Sequence, residues 1–200
     1  MLRIGVLASH TGTNFEAIAD ACQSGDLNAS LQLLICNNSS AAVMEKARRC
    51  SVPALHMSST THPEKLDAAI CNTLVEHRVE LVVLAGYMKK LGPAVLETYR
   101  NRIINVHPSL LPKHGGAGYY GSRVHQAVID AGESETGATV HLVNDEYDRG
   151  EILLQEKIDV EPTDTADSLA ERLRPVEHQM LINAIQLFSE RSLEKGASHE

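Results

Sequence analysis

Tryptophan is missing from this chain of 200 residues, and aromatic side chains make up only 4% of it. The interior must therefore be aliphatic, and a hydrophobic content of 43% supplies Leu, Ile, Val and Ala in ordinary globular proportion. Cysteine is sparse. Cys22, Cys36, Cys50 and Cys71 lack the paired spacings of a zinc site or a disulfide framework, so reduced thiols in a cytoplasmic protein are expected. No stretch reaches the ~18 consecutive apolar residues that a membrane span needs. The opening run from Met1 to Ala8 lacks the length and cleavage pattern of a signal peptide. Positive charge is also short, with 18 Lys and Arg against 26 Asp and Glu and a net charge of −8. A nucleic-acid surface needs a basic face to displace counterions, so nucleic acid is not the expected partner. An anionic small molecule needs only a local positive field and stays open.

Several chemical signatures are absent too. There is no Walker loop, no G-x-S-x-G elbow, no H-E-x-x-H and no clustered carboxylate–histidine metal set. Covalent and metal chemistry are thereby disfavoured. General acid–base and electrostatic catalysis on a small molecule remains.

What the chain does contain is an alternation of apolar runs and helical patterns. Strands are expected at Leu2–Ala8, Leu31–Cys36, Pro53–Met57, Leu81–Ala85 and Arg102–Val106. Helical periodicity falls between them. Thr13 and Asn14 offer cap chemistry before Phe15, Ile18, Ala19 and Cys22, a short helix pattern covers Ala41–Cys50, and Pro93–Tyr99 reads as another helix. Thr61 is placed to cap a helix with Pro63 in its first turn and Leu66, Ile70 and Leu74 on one face. This predicts an α/β fold, a mostly parallel twisted sheet with helices on both faces. The second half differs. A Pro- and Gly-rich loop runs from His107 to Ser122, then a helix to about Ala131. A late antiparallel strand pair is expected at Ala138–Val143 and Ile152–Val160, and a terminal helix at Thr165–Leu187 that Pro175 should kink or split. The tail Lys195–Glu200 is expected to fray. One domain, 1–200, is expected, with two halves sharing one sheet.

In open parallel sheets, ligands bind outside the carboxyl ends of the strands. Four segments follow such ends: Ser9–Asn14, Gly86–Leu91, Asn105–Pro108 and Asn144–Gly150. Gly12 at a strand-to-helix turn offers free N–H groups to an anion. Asn105 and His107 alternate along a strand and so share a side, where an amide donor and an imidazole can stabilise an oxyanion and move a proton. The run Gly116–Gly121 matches G-x-G-x-x-G, but it neither follows a strand directly nor opens a βαβ unit. It is read instead as a flexible lid or wall beside a site. His141, inside an apolar strand, is read as a satisfied structural histidine.

Asn105-Val106-His107-Pro108-Ser109-Leu110-Leu111-Pro112 resembles the N-x-H-P-S-L-L-P signature of the formyltetrahydrofolate-dependent formyltransferases. Ala138-Thr139-Val140-His141 followed by Asp148-Arg149-Gly150-Glu151-Ile152 is similar to their second signature. The Gly12-Thr13-Asn14 turn and Glu177-His178 resemble the branch that formylates phosphoribosylglycinamide in purine biosynthesis. The resemblance implies a Rossmann-like formyltransferase fold, with a phosphate-binding Rossmann-like half at 1–100 and a catalytic and folate half at 101–200. The resemblance also implies 10-formyltetrahydrofolate as co-substrate, no metal, and direct transfer through a tetrahedral intermediate. It implies Asn105, His107 and Asp148 as catalytic residues, with Asp148 raising the pKa of His107. Gly12, Thr13 and Asn14 would hold the phosphate, with Arg174, Pro175, Val176 and Glu177 completing the ribonucleotide site. The folate would lie along Met88, Lys89, Lys90 and Leu91, beside Asn105, and against Asn144, Asp145, Glu146, Tyr147 and Asp148. Small molecules are the implied partners of a monomer or homodimer.

Five features depart from the family pattern: His10, Pro63, Lys89, the Gly115–Gly121 stretch and Pro175. His10 and Pro175, at the phosphate end, leave room for another amine acceptor, such as a sugar nucleotide. A non-catalytic folate-binding module is the rival from another class, and the intact Asn105, His107 and Asp148 set argues against it. A flavodoxin-like domain would share the α/β pattern but explains neither signature.

Overall fold

The computed structural model describes residues 1–197. Its elements run β1 (Leu2–Ala8), α1 (Thr13–Ser24), β2 (Ala29–Cys36), α2 (Ala42–Arg49), β3 (Ala54–His56), α3 (Leu66–Glu76), β4 (Leu81–Leu84), α4 (Pro93–Thr98), β5 (Ile103–His107), α5 (Ser122–Asp130), β6 (Glu135–Leu142), β7 (Ile152–Asp159) and α6 (Ala166–Ala197). Seven strands form one sheet in the order β3-β2-β1-β4-β5-β6-β7. The first five are parallel, and β6 and β7 add antiparallel, as the alternation and the late strand pair predict.

The central strands β1 and β4 have no polar face because both of their faces are covered. Ile4, Val6 and Ala8 of β1, Leu34 of β2 and Leu81 and Val83 of β4 pack with α1, α2 and α6. Their neighbours Leu7, Leu33, Ile35, Val82 and Leu84 pack with α3 and α4 on the other side. A strand buried on both faces reads as a continuous apolar run for this reason. The chain winds from β1 outward to β3, then returns to β4 on the other side of β1. That reversal opens a crevice at the carboxyl ends of β1 and β4. Among the described residues no helix is long and apolar enough to cross a membrane. All four cysteines are free.

Four local expectations are corrected. Neither Thr13 nor Asn14 caps α1: Gly12 is the cap residue, with φ 70° and no side-chain cap bond. A Cβ there would come within 2.3 Å of Val43 Cγ2, so the left-handed turn and the close approach both require glycine. Thr61 does not cap α3, which begins only at Leu66. Its hydroxyl closes a local turn instead, accepting from the Ser58 N–H at 2.8 Å and donating to the Ser58 carbonyl at 3.0 Å. Pro175 does not split α6, which is helical on both sides of it. The ring removes one helix N–H, but Leu173, Met180 and Leu181 anchor both flanks in the core. The helix also continues past Leu187 through Lys195 to Ala197, and the remainder of the expected frayed tail, 198–200, lies outside the described residues.

Candidate active site

β5 extends one residue further than its apolar run, so His107 is still in register with the sheet. Asn105 pairs with His141 of β6 and His107 with Thr139. Cross-strand partners stand side by side, and here they bond: Asn105 Nδ2 lies 3.1 Å from His141 Nε2. The other imidazole nitrogen of His141, Nδ1, is 2.8 Å from the Leu142 carbonyl and donates to it. The nitrogen of the Asn105 amide, and not its oxygen, is thus turned toward His141. His141 is satisfied, as expected of a structural histidine, and it also fixes the orientation of Asn105.

His107 is 4% exposed. Its Nε2 donates to the His114 carbonyl at 2.8 Å, leaving Nδ1 to face Asp148 Oδ2 at 3.5 Å. Asp148 Oδ1 lies 3.5 Å from His141 Nε2, so the carboxylate stands between two imidazoles. Burial lowers the pKa of His107, and Asp148 and the bond to His114 only partly offset it. The expected rise is thus reversed: Asp148 pushes upward, but desolvation outweighs it and the imidazole rests neutral. Burial also works against the Asp148 carboxylate, yet His141, His107 and the Gly116 N–H together hold its pKa below the ordinary value. Asp148 has φ 54°, a left-handed conformation that Asp tolerates better than most residues.

The glycine-rich segment forms the wall over this pair. Gly116 N–H donates to Asp148 Oδ2 at 2.9 Å, while the preceding His114 accepts from His107. A Cβ on Gly115 would meet Leu111 Cδ2 at 2.3 Å, so the chain passes close to that side chain here. Outside the wall, Glu133 accepts from Lys113 Nζ at 2.9 Å and lies 3.2 Å from His114 Nε2. Beneath it, Thr139 Oγ1 donates to the Ser109 carbonyl and accepts from Leu111 N and Gln155 Nε2. The Leu111–Pro112 bond is cis.

This arrangement occupies one end of a cavity of about 870 Å³. The opposite end is formed by His10, Thr11, Gly12, Thr13 and Asn14 at the start of α1, and by Ala170, Arg174 and Glu177 of α6. The first N–H groups of α1 have no intrahelical partners, and no side-chain cap consumes them. Asn14 Nδ2 donates to Glu177 Oε2 at 3.4 Å, while Asn14 Oδ1 is buried without a partner among the described residues. Burial pushes the Glu177 carboxyl up to about 7 despite Asn14 and Arg174. Met88 and Lys89 line the side of the cavity, and Met88 N–H is tied to Ser9 Oγ at 2.9 Å.

The formyl transferase family profile matches residues 2–185. The chain belongs to the formyl transferase family. It is 38% identical over 192 residues to the phosphoribosylglycinamide formyltransferase of Haemophilus influenzae, covering 95% of this chain and 88% of that one. It is 36% identical to the chloroplastic enzyme of the same name from Vigna unguiculata, covering 94% of this chain and 61% of that longer one. A crystal structure of glycinamide ribonucleotide transformylase 1 from Symbiobacterium toebii superposes with a TM-score of 0.90 at 38% identity, over 95% of this chain and 88% of that one.

For a formyl transferase of this kind, the sequence locates much of the cavity wall. Asn105, His107, Asp148, Gly12, Thr13, Asn14, Arg174, Glu177, Met88, Lys89 and Tyr147 all line it. Seven other candidates lie off the wall. Leu91 is buried in the core under α3 and α4, and Val176 packs against the α1–α6 core. Lys90 sits over the exposed Tyr147 ring, 5.5 Å from its centroid. Pro175 lies on the outer side of its turn, and Asn144, Asp145 and Glu146 form a surface turn in which Asn144 Oδ1 accepts from Glu146 N–H at 2.9 Å. The wall also contains Tyr87 and Tyr120, from the Gly86–Leu91 and Gly116–Gly121 segments expected beside a site, and Ser122, His125 and Ala170, which sequence reasoning passed over. Only the glycine-rich stretch before Ser122 hinted that α5 would begin at a cavity.

Proposed function

We propose that this chain transfers the formyl group of 10-formyltetrahydrofolate to the amine of 5'-phosphoribosylglycinamide, giving formylglycinamide ribonucleotide for purine biosynthesis. The observation that carries the reading is the meeting of Asn105, His107 and Asp148 at one end of a cavity whose other end is the open N-terminus of α1. The free N–H groups of α1 and its positive dipole end take the phosphate. Glu177, beside Asn14, takes the ribose hydroxyls, and Arg174 closes that side. The folate enters along Met88 and Lys89 toward Asp148. Residues 1–100 thus supply the phosphate turn, and residues 101–200 supply the reacting groups and the ribose carboxylate.

The amine nitrogen attacks the formyl carbon, and the carbonyl electrons move to oxygen. An Asn105 N–H not used by His141 donates to that oxyanion. The ammonium formed by attack loses a proton to Nδ1 of His107, which starts neutral, and Asp148 balances the resulting charge. The intermediate then collapses. The bond from carbon to the folate nitrogen breaks, that nitrogen takes the proton, and tetrahydrofolate leaves. No acyl-enzyme forms and no metal is required.

The test is folate release from 10-formyltetrahydrofolate with phosphoribosylglycinamide present and with no acceptor. Acceptor-dependent release is expected. Release without acceptor would make the protein a hydrolase, and no turnover at all would return weight to another amine or to a binding module.

A further inference from the structure

Four histidines cluster around the reacting end, and three of them are partnered. His107 and His141 donate to backbone carbonyls, and His114 is held by Glu133. The fourth, His125 of α5, is 5% exposed, lines the cavity, and forms no hydrogen bond among the described residues. Its Nδ1 is sealed from solvent, and an N–H left there would be a buried donor without an acceptor. Nε2 is the nitrogen left for the cavity, and with the proton there the ring is a donor toward it. Desolvation, with the nearby His107 adding to it, holds the ring neutral. His125 thus lines the cavity with no hydrogen-bond partner among the described residues, and a ligand in the cavity is the partner that its Nε2 can reach.

The position narrows the ligand. α5 packs against α6, whose Ala170, Arg174 and Glu177 line the same cavity, and His125 is near enough to His107 to feel its charge. It lies beside the reacting end, on a helix packed against the one that lines the ribonucleotide end. In phosphoribosylglycinamide the amide carbonyl lies one carbon from the reacting amine, on the side toward the ribose.

We propose that His125 is a substrate-contacting residue that donates from Nε2 to the amide oxygen of the amine acceptor, orienting its amine toward the formyl carbon and selecting acceptors that carry a carbonyl there. This rests on the function proposed above. The contact binds the acceptor and leaves the formyl donor alone, which separates it from a packing role.

The experiment is steady-state kinetics of wild type, His125→Leu and His125→Gln with each substrate varied in turn. A second measurement follows the ¹⁵N resonances of the wild-type imidazoles as phosphoribosylglycinamide or folate is added. His125→Leu is expected to raise KM for the acceptor roughly three- to tenfold and to leave KM for formyl folate within about twofold, with His125→Gln recovering part of the loss. The His125 Nε2 resonance is expected to move with acceptor and not with folate. An unchanged acceptor KM in His125→Leu, or equal changes for both substrates, overturns the assignment. If that variant does not fold, an immobile Nε2 resonance on acceptor addition overturns it alone. A wild type that fails to formylate phosphoribosylglycinamide overturns the proposed function and the acceptor assignment together; normal turnover with an indifferent His125 overturns only the latter.

Discussion

At the β5–β6 end of the cavity, Asn105, His107, His141 and Asp148 each touch a polar partner, and the surrounding loop is bonded to Thr139 and Glu133. At the α1–α6 end the polar groups are unfinished. Asn14 Oδ1 has no partner among the described residues, and the Glu177 carboxyl is pushed up to about 7 by burial. The first end is organised before any ligand arrives, which is what stabilising a transient charge requires. The second end is completed by its ligand. Substitutions at the two ends should therefore fail differently, in rate at one and in binding at the other.

The largest expected effect is at the organised end. His107→Ala removes the proton carrier and should lower kcat by roughly a thousandfold or more while acceptor KM stays nearly constant. Asp148→Asn should lose a comparable share. Asn accepts the left-handed backbone at that position, so a loss of rate there reports the lost charge and not a broken turn. A rise in KM with kcat intact for both variants would abolish the distinction between the two ends.

At the unfinished end, Glu177→Gln should raise acceptor KM and at the same time stabilise the ligand-free protein. The sign follows from the pKa. The folded carboxyl titrates near 7 against an ordinary value of 4.5, so the folded state holds the proton more tightly. Stability therefore falls as pH rises from about 4.5 to about 7, and the cost is full above that window, up to about 3 kcal/mol. The amide substitution removes this cost. Thermal unfolding of both proteins at pH 5 and pH 8 checks it, with the gain of Glu177→Gln expected mainly at pH 8.

Between these ends, the sequence was informative wherever geometry follows from period or from a local turn. The alternation of Asn105 and His107 predicts a shared side because strand side chains repeat every second residue, and both line the cavity. The buried strands were legible as apolar runs. The fate of His125 was not, because it sits one position from Val124 in a helix whose cavity-facing side is set by packing against α6. The net pKa of His107 was hidden for a similar reason. Asp148 is visible as a partner in the sequence, but the desolvation that outweighs it depends on the closed loop above. Pro175 shows the converse, a local rule overridden by the core contacts of Leu173 and Leu181.

Thr139→Val tests whether the organised end is held from beneath. Thr139 is fully buried, and its hydroxyl serves Ser109, Leu111 and Gln155. Valine keeps the shape and strands a carbonyl and an N–H, which should cost about 2 kcal/mol of stability. Chemical denaturation checks it, and a loss near zero would mean that the loop satisfies these groups in another way.

The smallest effect is expected at Glu133, on the outer side of the wall. Its carboxylate touches no part of the cavity, but it holds His114, whose carbonyl receives the Nε2 proton of His107. The contacts of Glu133 with Lys113 and His114 lie near the surface, where such pairs are worth little in themselves. Stability should thus be almost unchanged in Glu133→Gln. What should change is the aim of the His114 carbonyl, and through it the position of the imidazole beside Asp148. A fall in kcat of roughly two- to fivefold is expected, with both KM values constant and no further fall of the variant at high salt, since salt already screens the same pair. Wild type in high salt should accordingly move toward the variant. If kcat is indifferent to both, the wall is held by Gly115, Gly116 and Asp148 alone, and the organised end needs no support from outside.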